Sequence, residues 1–232
     1  MPSLGESIMK IVTLIGSPHG KAGNTARLVN IVSEGAESQG AVTETIFLNG
    51  KNVLPCVGCD TCHKKGVCVQ KDEFEAIKQK IMEADGLILG SPNYIRQVSA
   101  QMKAFMDRCC GVVHCLSFEG KYGVSVVTSG GGDEASVADY MNYFQMITGI
   151  QPAGSVWATM GNIAGDMFPE DIRNKALELG RHLVRSWKQK TVFPDAQAVT
   201  LKFRERMRLL MEWRKDEWPY EYQYWKTHRG LN

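Results

Sequence analysis

Residues Lys10-Ile-Val-Thr-Leu-Ile-Gly16 lead directly into Ser17-Pro-His-Gly-Lys-Ala-Gly-Asn-Thr25. A short, β-branched apolar run stopped by Gly-Ser-Pro predicts a strand buried on both faces, as in a parallel sheet. Leu28, Ile31, Val32 and Ala36 follow at helical spacing, so a helix should open near Asn24. The alternation continues outward from this unit. Strands are expected at 42–48, 86–91, 122–128 and 154–159, and helices at 73–82, 98–109, 134–147 and 169–188. This order implies the α/β class, a doubly wound five-stranded parallel sheet with helices on both faces. Residues 1–8 read as a disordered N-terminus, 9–190 as the α/β domain with a cysteine-rich loop at 56–68, and 191–232 as a C-terminal extension. In that extension 191–200 is expected to be a linker before a final amphipathic helix.

In such sheets ligands bind beyond the carboxyl ends of the strands, where strand order reverses. The loop after the first strand opens into a helix, whose first amides and positive dipole end suit a phosphate. Glycines such as Gly23 let backbone approach an anion, and Ser17, Asn24 and Thr25 can donate side-chain hydrogen bonds. A flexible loop with Asn24 or Thr25 as helix cap is the alternative. Only three residues separate Gly16 from Gly20-Lys21, and Ala22 follows, so the NTPase phosphate-loop spacing is not met. The G-x-G-x-x-G dinucleotide pattern is also missing from this turn.

The third strand ends in Ser91-Pro-Asn-Tyr-Ile95, ahead of Ser99-Ala-Gln-Met-Lys-Ala-Phe-Met-Asp-Arg108, and the fourth leads into Thr128-Ser-Gly-Gly-Gly-Asp133. Three consecutive glycines cost backbone entropy, and close approach of a ligand is one good reason for them. Gly-Ser-Pro followed by Gly-Asn-Thr, then Ser-Pro-x-Tyr with Lys-x-Phe-x-Asp-Arg, resembles the flavodoxin-like NAD(P)H-dependent FMN reductases over roughly residues 9–190. That resemblance implies a flavodoxin-like fold and FMN held by Ser17, His19, Gly23, Asn24 and Thr25 at the phosphate. It implies Pro92, Asn93, Tyr94 and Ile95 beside the flavin ring, and Ser129, Gly130, Gly131 and Gly132 in a third loop. No catalytic acid–base dyad is visible in the sequence, and none is needed if a flavin carries the chemistry.

Cys56-Val-Gly-Cys-Asp-Thr-Cys-His-Lys-Lys-Gly-Val-Cys68 has the spacing C-x2-C-x2-C-x5-C. Three thiolates at three-residue intervals with a fourth to close suit a [4Fe–4S] cluster, whereas structural zinc more often uses two separated C-x2-C pairs. Zinc and a merely structural loop stand as alternatives. The motif resembles the iron–sulfur flavoprotein branch of the same family, which implies Cys56, Cys59, Cys62 and Cys68 as cluster ligands. His63 is a competing ligand candidate, expected instead in an outer shell or in solvent. Cys109 continues a buried helix face and is assigned to the core, while Cys110 and His114 carry only a weak active-site expectation.

Twenty-seven Lys/Arg against 25 Asp/Glu leave a net charge of +2, which calls for neither nucleic acid nor an anionic membrane. Residues 1–7 lack the apolar core of a secretory signal, and no run reaches the roughly 18–20 apolar residues of a membrane span. The expected location is cytoplasmic, where seven cysteines are more naturally ligands, redox groups or core residues than disulfides. From Leu201 a helix should bury Phe203, Met207, Leu210 and Met211, and the stretch 218–225 is dense in aromatics, as interfaces are. The resemblance implies a homodimer or homotetramer taking electrons from NAD(P)H and passing them to an organic acceptor or through the cluster. A ferredoxin-linked carrier without a nicotinamide substrate is the first alternative. A zinc-binding or redox-sensing protein on the same scaffold is the second.

Overall fold

The computed structural model describes residues 7–163 and 167–231; residues 1–6, most of the stretch read as a disordered N-terminus, lie outside the described residues. Five strands, β1 (Lys10–Ile15), β2 (Val42–Phe47), β3 (Gly86–Pro92), β4 (Tyr122–Ser129) and β5 (Gln151–Thr159), form one parallel sheet in the order β2-β1-β3-β4-β5. This is the flavodoxin-like order, and it reverses between β1 and β3. β3 and β4 are buried at every position, and β1 at all but Lys10, because helices cover both faces. β2 and β5 form the edges and alternate in burial.

One face carries α1 (Asn24–Glu37) and α7 (Glu170–Gln189), packed on Ile11, Ile15, Ile88, Val124 and Val126. The other carries α3 (Phe74–Glu83), α4 (Ala100–Arg108) and α6 (Glu134–Thr148), packed on Leu14, Leu87, Leu89 and Val127. Between β2 and α3 lies the cysteine loop, containing the short helix α2 (Thr61–Lys65). A further short helix, α5 (Cys110–Cys115), follows α4, and α8 (Pro194–Trp213) and α9 (Pro219–Arg229) complete the chain. No helix among the described residues is long and apolar enough to cross a membrane.

α1 and α7 cross backbone to backbone through Gly35 and Gly180. A Cβ on Gly180 would lie 1.9 Å from the Val32 carbonyl oxygen, and one on Gly35 2.0 Å from that of Leu177. Neither contact can give way without separating the helices. Gly180→Ala is therefore expected to cost about 1–3 kcal/mol. Thermal unfolding checks this: at roughly 2–4 °C per kcal/mol for a chain of this size, the midpoint should fall by about 2–12 °C.

Two sequence expectations are corrected. The single helix over 98–109 starts at Ala100, where the Ser99 hydroxyl accepts the Met102 amide (3.2 Å), and breaks at Cys109 into α4 and α5. Cys109 itself is buried, as expected. The linker over 191–200 shrinks to a few residues, because Pro194 opens α8 instead of interrupting it. Proline at a first helical position gives up no hydrogen bond and already holds the right φ.

Candidate functional site

The first loop lies at the carboxyl end of β1, beside the reversal point. Ser17 is buried, and its Oγ accepts the His19 amide (3.3 Å). His19 is exposed at the head of the turn Gly20–Ala22, and Gly20 has φ +54. The cap of α1 is Gly23, with no side-chain hydrogen bond to the first-turn amides. Asn24 and Thr25 sit inside the helix instead of capping it, which leaves those amides for an outside acceptor. A Cβ on Gly23 would lie 2.9 Å from Ser17 Oγ, so the close turn requires glycine. Thr25 Oγ1 and Thr128 Oγ1 are 2.7 Å apart and tie this loop to the end of β4. Each hydroxyl has one proton and only one is used between them, so the other can serve a further acceptor.

The second loop follows Pro92. Asn93 N–H donates to the Thr128 carbonyl (2.8 Å) and Asn93 Nδ2 to that of Gly132 (2.7 Å), while Asn93 Oδ1 is buried without a partner among the described residues. Tyr94 and Gln97 pair across Ile95 and Arg96, both with positive φ (52 and 61), as in a type I′ turn. A β-branched residue in this region is strained by about 1–3 kcal/mol. Ile95 is also 99% exposed, and Tyr94 45%.

The third loop leaves β4 at Ser129. The Ser129 hydroxyl accepts the Gly132 amide (2.8 Å) and donates to the buried Glu134 carboxylate, which also accepts the Thr159 hydroxyl (2.6 Å). Ser129 thus shapes the loop from within. Gly132 needs its glycine for φ +117, but Gly130 and Gly131 have ordinary φ, and a Cβ on either would meet nothing within 4 Å. No contact among the described residues requires glycine at these two positions.

The cysteine loop hangs from the carboxyl end of β2, at the same edge. Asn49 Nδ2 donates to the Pro18 carbonyl (3.2 Å), joining it to the first loop. Its neck is closed by a buried ion pair. Arg108 reaches Asp72 with two hydrogen bonds (2.7 and 3.0 Å), and Arg108 also donates to the Leu54 carbonyl (2.9 Å). Asp72 accepts the Leu54 and Phe74 amides (3.0 and 3.1 Å). Hydrogen bonding to Arg108 holds the Asp72 carboxyl down to about 2. Cys56 and Cys59 are exposed, whereas Cys62 and Cys68 line a cavity of about 300 Å³ beneath α9. Positive φ at Gly58 and Asp60 turns the chain between successive cysteines, and the Gly58 amide faces Cys56 Sγ (3.5 Å). All seven cysteines are free.

Residues 9–164 match the family described as NADPH-dependent FMN reductase. The chain belongs to that family. It falls in the iron–sulfur flavoprotein branch. An iron–sulfur flavoprotein of Archaeoglobus fulgidus is 37% identical over 78% of this chain and 82% of its own length. One of Methanocaldococcus jannaschii is 35% identical over 75% and 93%. The fold also matches a WrbA-like flavodoxin from Agrobacterium tumefaciens, with TM-score 0.54, 18% identity, and coverage of 80% of this chain and all of that one.

The reductase match ends before α8 and α9; α8 buries the face expected of it, and α9 brings contacts that the sequence does not mark. α8 buries Phe203, Met207 and Met211 against Leu116, Trp225 and Leu231, while Leu210 is partly buried. α9 lies over α5 and α2: Trp225 Nε1 donates to the His114 carbonyl (3.0 Å), and the Tyr220 ring rests on Gly66. Glu221, completely buried, accepts from His63 Nδ1 (2.6 Å) and His114 Nδ1 (2.9 Å). His63 is therefore not in solvent, one of the two places expected for it; it is 4% exposed and packs on His114 and Trp218. His63–Glu221 and His114–Glu221 are buried imidazole–carboxylate pairs that no spacing in the sequence marks. Burial opposes charge on both imidazoles, but hydrogen bonds to Cys110 and Glu221 raise them, and burial of the Cys110 thiol is outweighed by the same histidines, which lower it to about 6. Cys110 and His114, one turn apart on α5, and His63 as a competing ligand candidate are the sequence signals for this cluster.

Proposed function

We propose that this chain is an FMN-dependent oxidoreductase with a [4Fe–4S] cluster on Cys56, Cys59, Cys62 and Cys68. In this reading it takes electrons from NAD(P)H and passes them to an organic acceptor or through the cluster. The observation that carries it is the open edge at the β1/β3 reversal. There an uncapped helix end, an unpartnered buried acceptor on Asn93 and two glycines with no internal reason to be glycine face one region.

These features fit FMN. The first-turn amides of α1 with Ser17, His19, Gly23, Asn24 and Thr25 would hold the phosphate. Pro92, Asn93, Tyr94 and Ile95 would border the ring, with the exposed apolar surface of Tyr94 and Ile95 covered by it and Asn93 Oδ1 given a donor. Ser129, Gly130, Gly131 and Gly132 would supply backbone that a flat ligand can approach. Bound FMN supplies the exchange of electrons in pairs with a nicotinamide and singly with a metal cluster.

The cysteine loop fits a cluster by its donor set: four free thiols, amides and left-handed turns between them, and the Arg108 guanidinium beside Cys68. Ferredoxin as a protein acceptor, and assembly as a homodimer or homotetramer in a cytoplasmic setting, belong to the same reading.

Anaerobic purification followed by assay of flavin, iron and sulfide tests it. About one FMN with four iron and four sulfide per chain is the expected result. Flavin without iron would withdraw the cluster, and neither would withdraw the whole reading. Rapid bleaching of the flavin by NADH or NADPH separates a nicotinamide reductase from a ferredoxin-fed carrier. Ser17→Ala is expected to weaken FMN binding about 10- to 100-fold. A hydrogen bond to a charged group contributes about 1.5–3 kcal/mol, and fluorescence titration of the apoprotein measures the change.

A further inference from the structure

The site described above leaves one built cluster without a task. Cys110 and His114 lie four residues apart on α5 and so share a face. His63 comes from α2, and Glu221 comes from α9 to bridge the two rings. Cys110 Sγ, His63 and His114 each offer a ligand atom, and these atoms lie within 4.8 Å of one another. Cys110 Sγ stands 3.7 Å from His114 Nε2. A tetrahedral zinc ion with bonds of about 2.3 Å to sulfur and about 2.0–2.1 Å to nitrogen separates such atoms by about 3.5 Å.

The outer contacts decide what this cluster can hold. Each Nδ1 faces one oxygen of the same buried carboxylate. A neutral imidazole that donates from Nδ1 carries its lone pair on Nε2; the His114 Nε2 faces Cys110 Sγ, and the His63 ring offers a nitrogen to the same group of ligand atoms. Metal-ligating histidines are oriented in this way by an outer carboxylate. The rings are stacked, with centroids 4.6 Å apart and planes at 19°, and Trp218 closes over both. Asp60 Oδ1, 3.9 Å from His63 Nε2, adds an acidic oxygen on the same side. Soft thiolate with two imidazoles is a zinc donor set.

We propose that Cys110, His63 and His114 form a mononuclear zinc site, distinct from the cysteine-loop cluster, with Glu221 as the outer acceptor that orients both imidazoles. Three protein ligands leave the fourth tetrahedral position to solvent. The ion would tie α9 to α2 and α5.

The test uses the full chain as purified anaerobically, stripped with a chelator and then given zinc alone. Iodoacetamide labelling with peptide mass spectrometry follows each cysteine separately, so loop thiols and Cys110 are not confused. Zinc is expected to slow alkylation of Cys110 at least about tenfold. Cobalt in place of zinc should produce a thiolate-to-cobalt absorption band that Cys110→Ser removes. Glu221→Gln should weaken zinc binding about 10- to 100-fold, the usual effect of losing an outer carboxylate. Equal alkylation of Cys110 with and without zinc would overturn the proposal, as would protection confined to Cys56, Cys59, Cys62 and Cys68. The labelling experiment needs no variant, so a misfolded mutant cannot rescue the idea.

Discussion

Arg108→Ala is expected to destabilise the protein by about 3–5 kcal/mol, the cost of leaving a buried charge without its partner. The side chains of Arg108 and Asp72 are 1% and 0% exposed, so solvent cannot replace the lost contacts. The pair also holds both ends of the cysteine loop, through the Leu54 carbonyl and amide and the Phe74 amide. The loss should therefore appear twice, as a lower urea midpoint and as a reduced iron content in material that still folds. The pair adds a pH signature. Folding lowers the Asp72 carboxyl from 3.8 to about 2. A carboxyl lowered on folding stabilises the native state fully above its unfolded value, and that contribution is lost as pH falls from about 4 through about 2. It amounts to about 2 kcal/mol at 1.36 kcal/mol per pH unit. The parent should lose this much across that window, while Arg108→Ala should show a flatter acid profile. An unchanged urea midpoint in Arg108→Ala would show that the guanidinium does not close the loop.

Trp225→Ala is expected to remove about 3–5 kcal/mol from the C-terminal extension, as for other large aromatics cut from a core. Trp225 is 2% exposed and is among the largest fully buried side chains, and its indole holds the His114 carbonyl. The damage should be local first. α9 carries Tyr220 on Gly66, Glu221 between the histidines and Arg229 on the carbonyls of Cys115 and Leu116 (3.0 and 2.8 Å). Hydrogen exchange should therefore rise in α9, α5 and α2 well before the central strands, and Cys110 should become open to alkylation. Uniform exchange across the sheet would contradict a separately docked extension.

The α/β pattern was legible because its signals are local. A buried strand is a run of apolar residues and a helix a period of 3.6, so β1 with α1, β3 and β4 were found within a residue or two. The three ligand-facing loops were legible for a related reason: their glycines and prolines sit at fixed places between those elements. Boundaries failed where one residue admits two readings. Pro194 reads as part of a linker and instead begins α8. The break at Cys109 was invisible because the apolar face continues across it.

Sequence alone thus determined the sheet, the family resemblance and the four-cysteine loop, since each is a pattern in neighbouring residues. Tertiary structure alone decided the rest. Asp72 meets Arg108 across 36 residues, and Glu221 meets His114 across 107 and His63 across 158. A single acidic residue in an aromatic stretch has no period and no spacing to mark it. Its role arises only when packing of Trp225 and Met211 removes α9 from water and obliges the buried carboxylate to find donors, because an unpaired buried charge is too costly to keep.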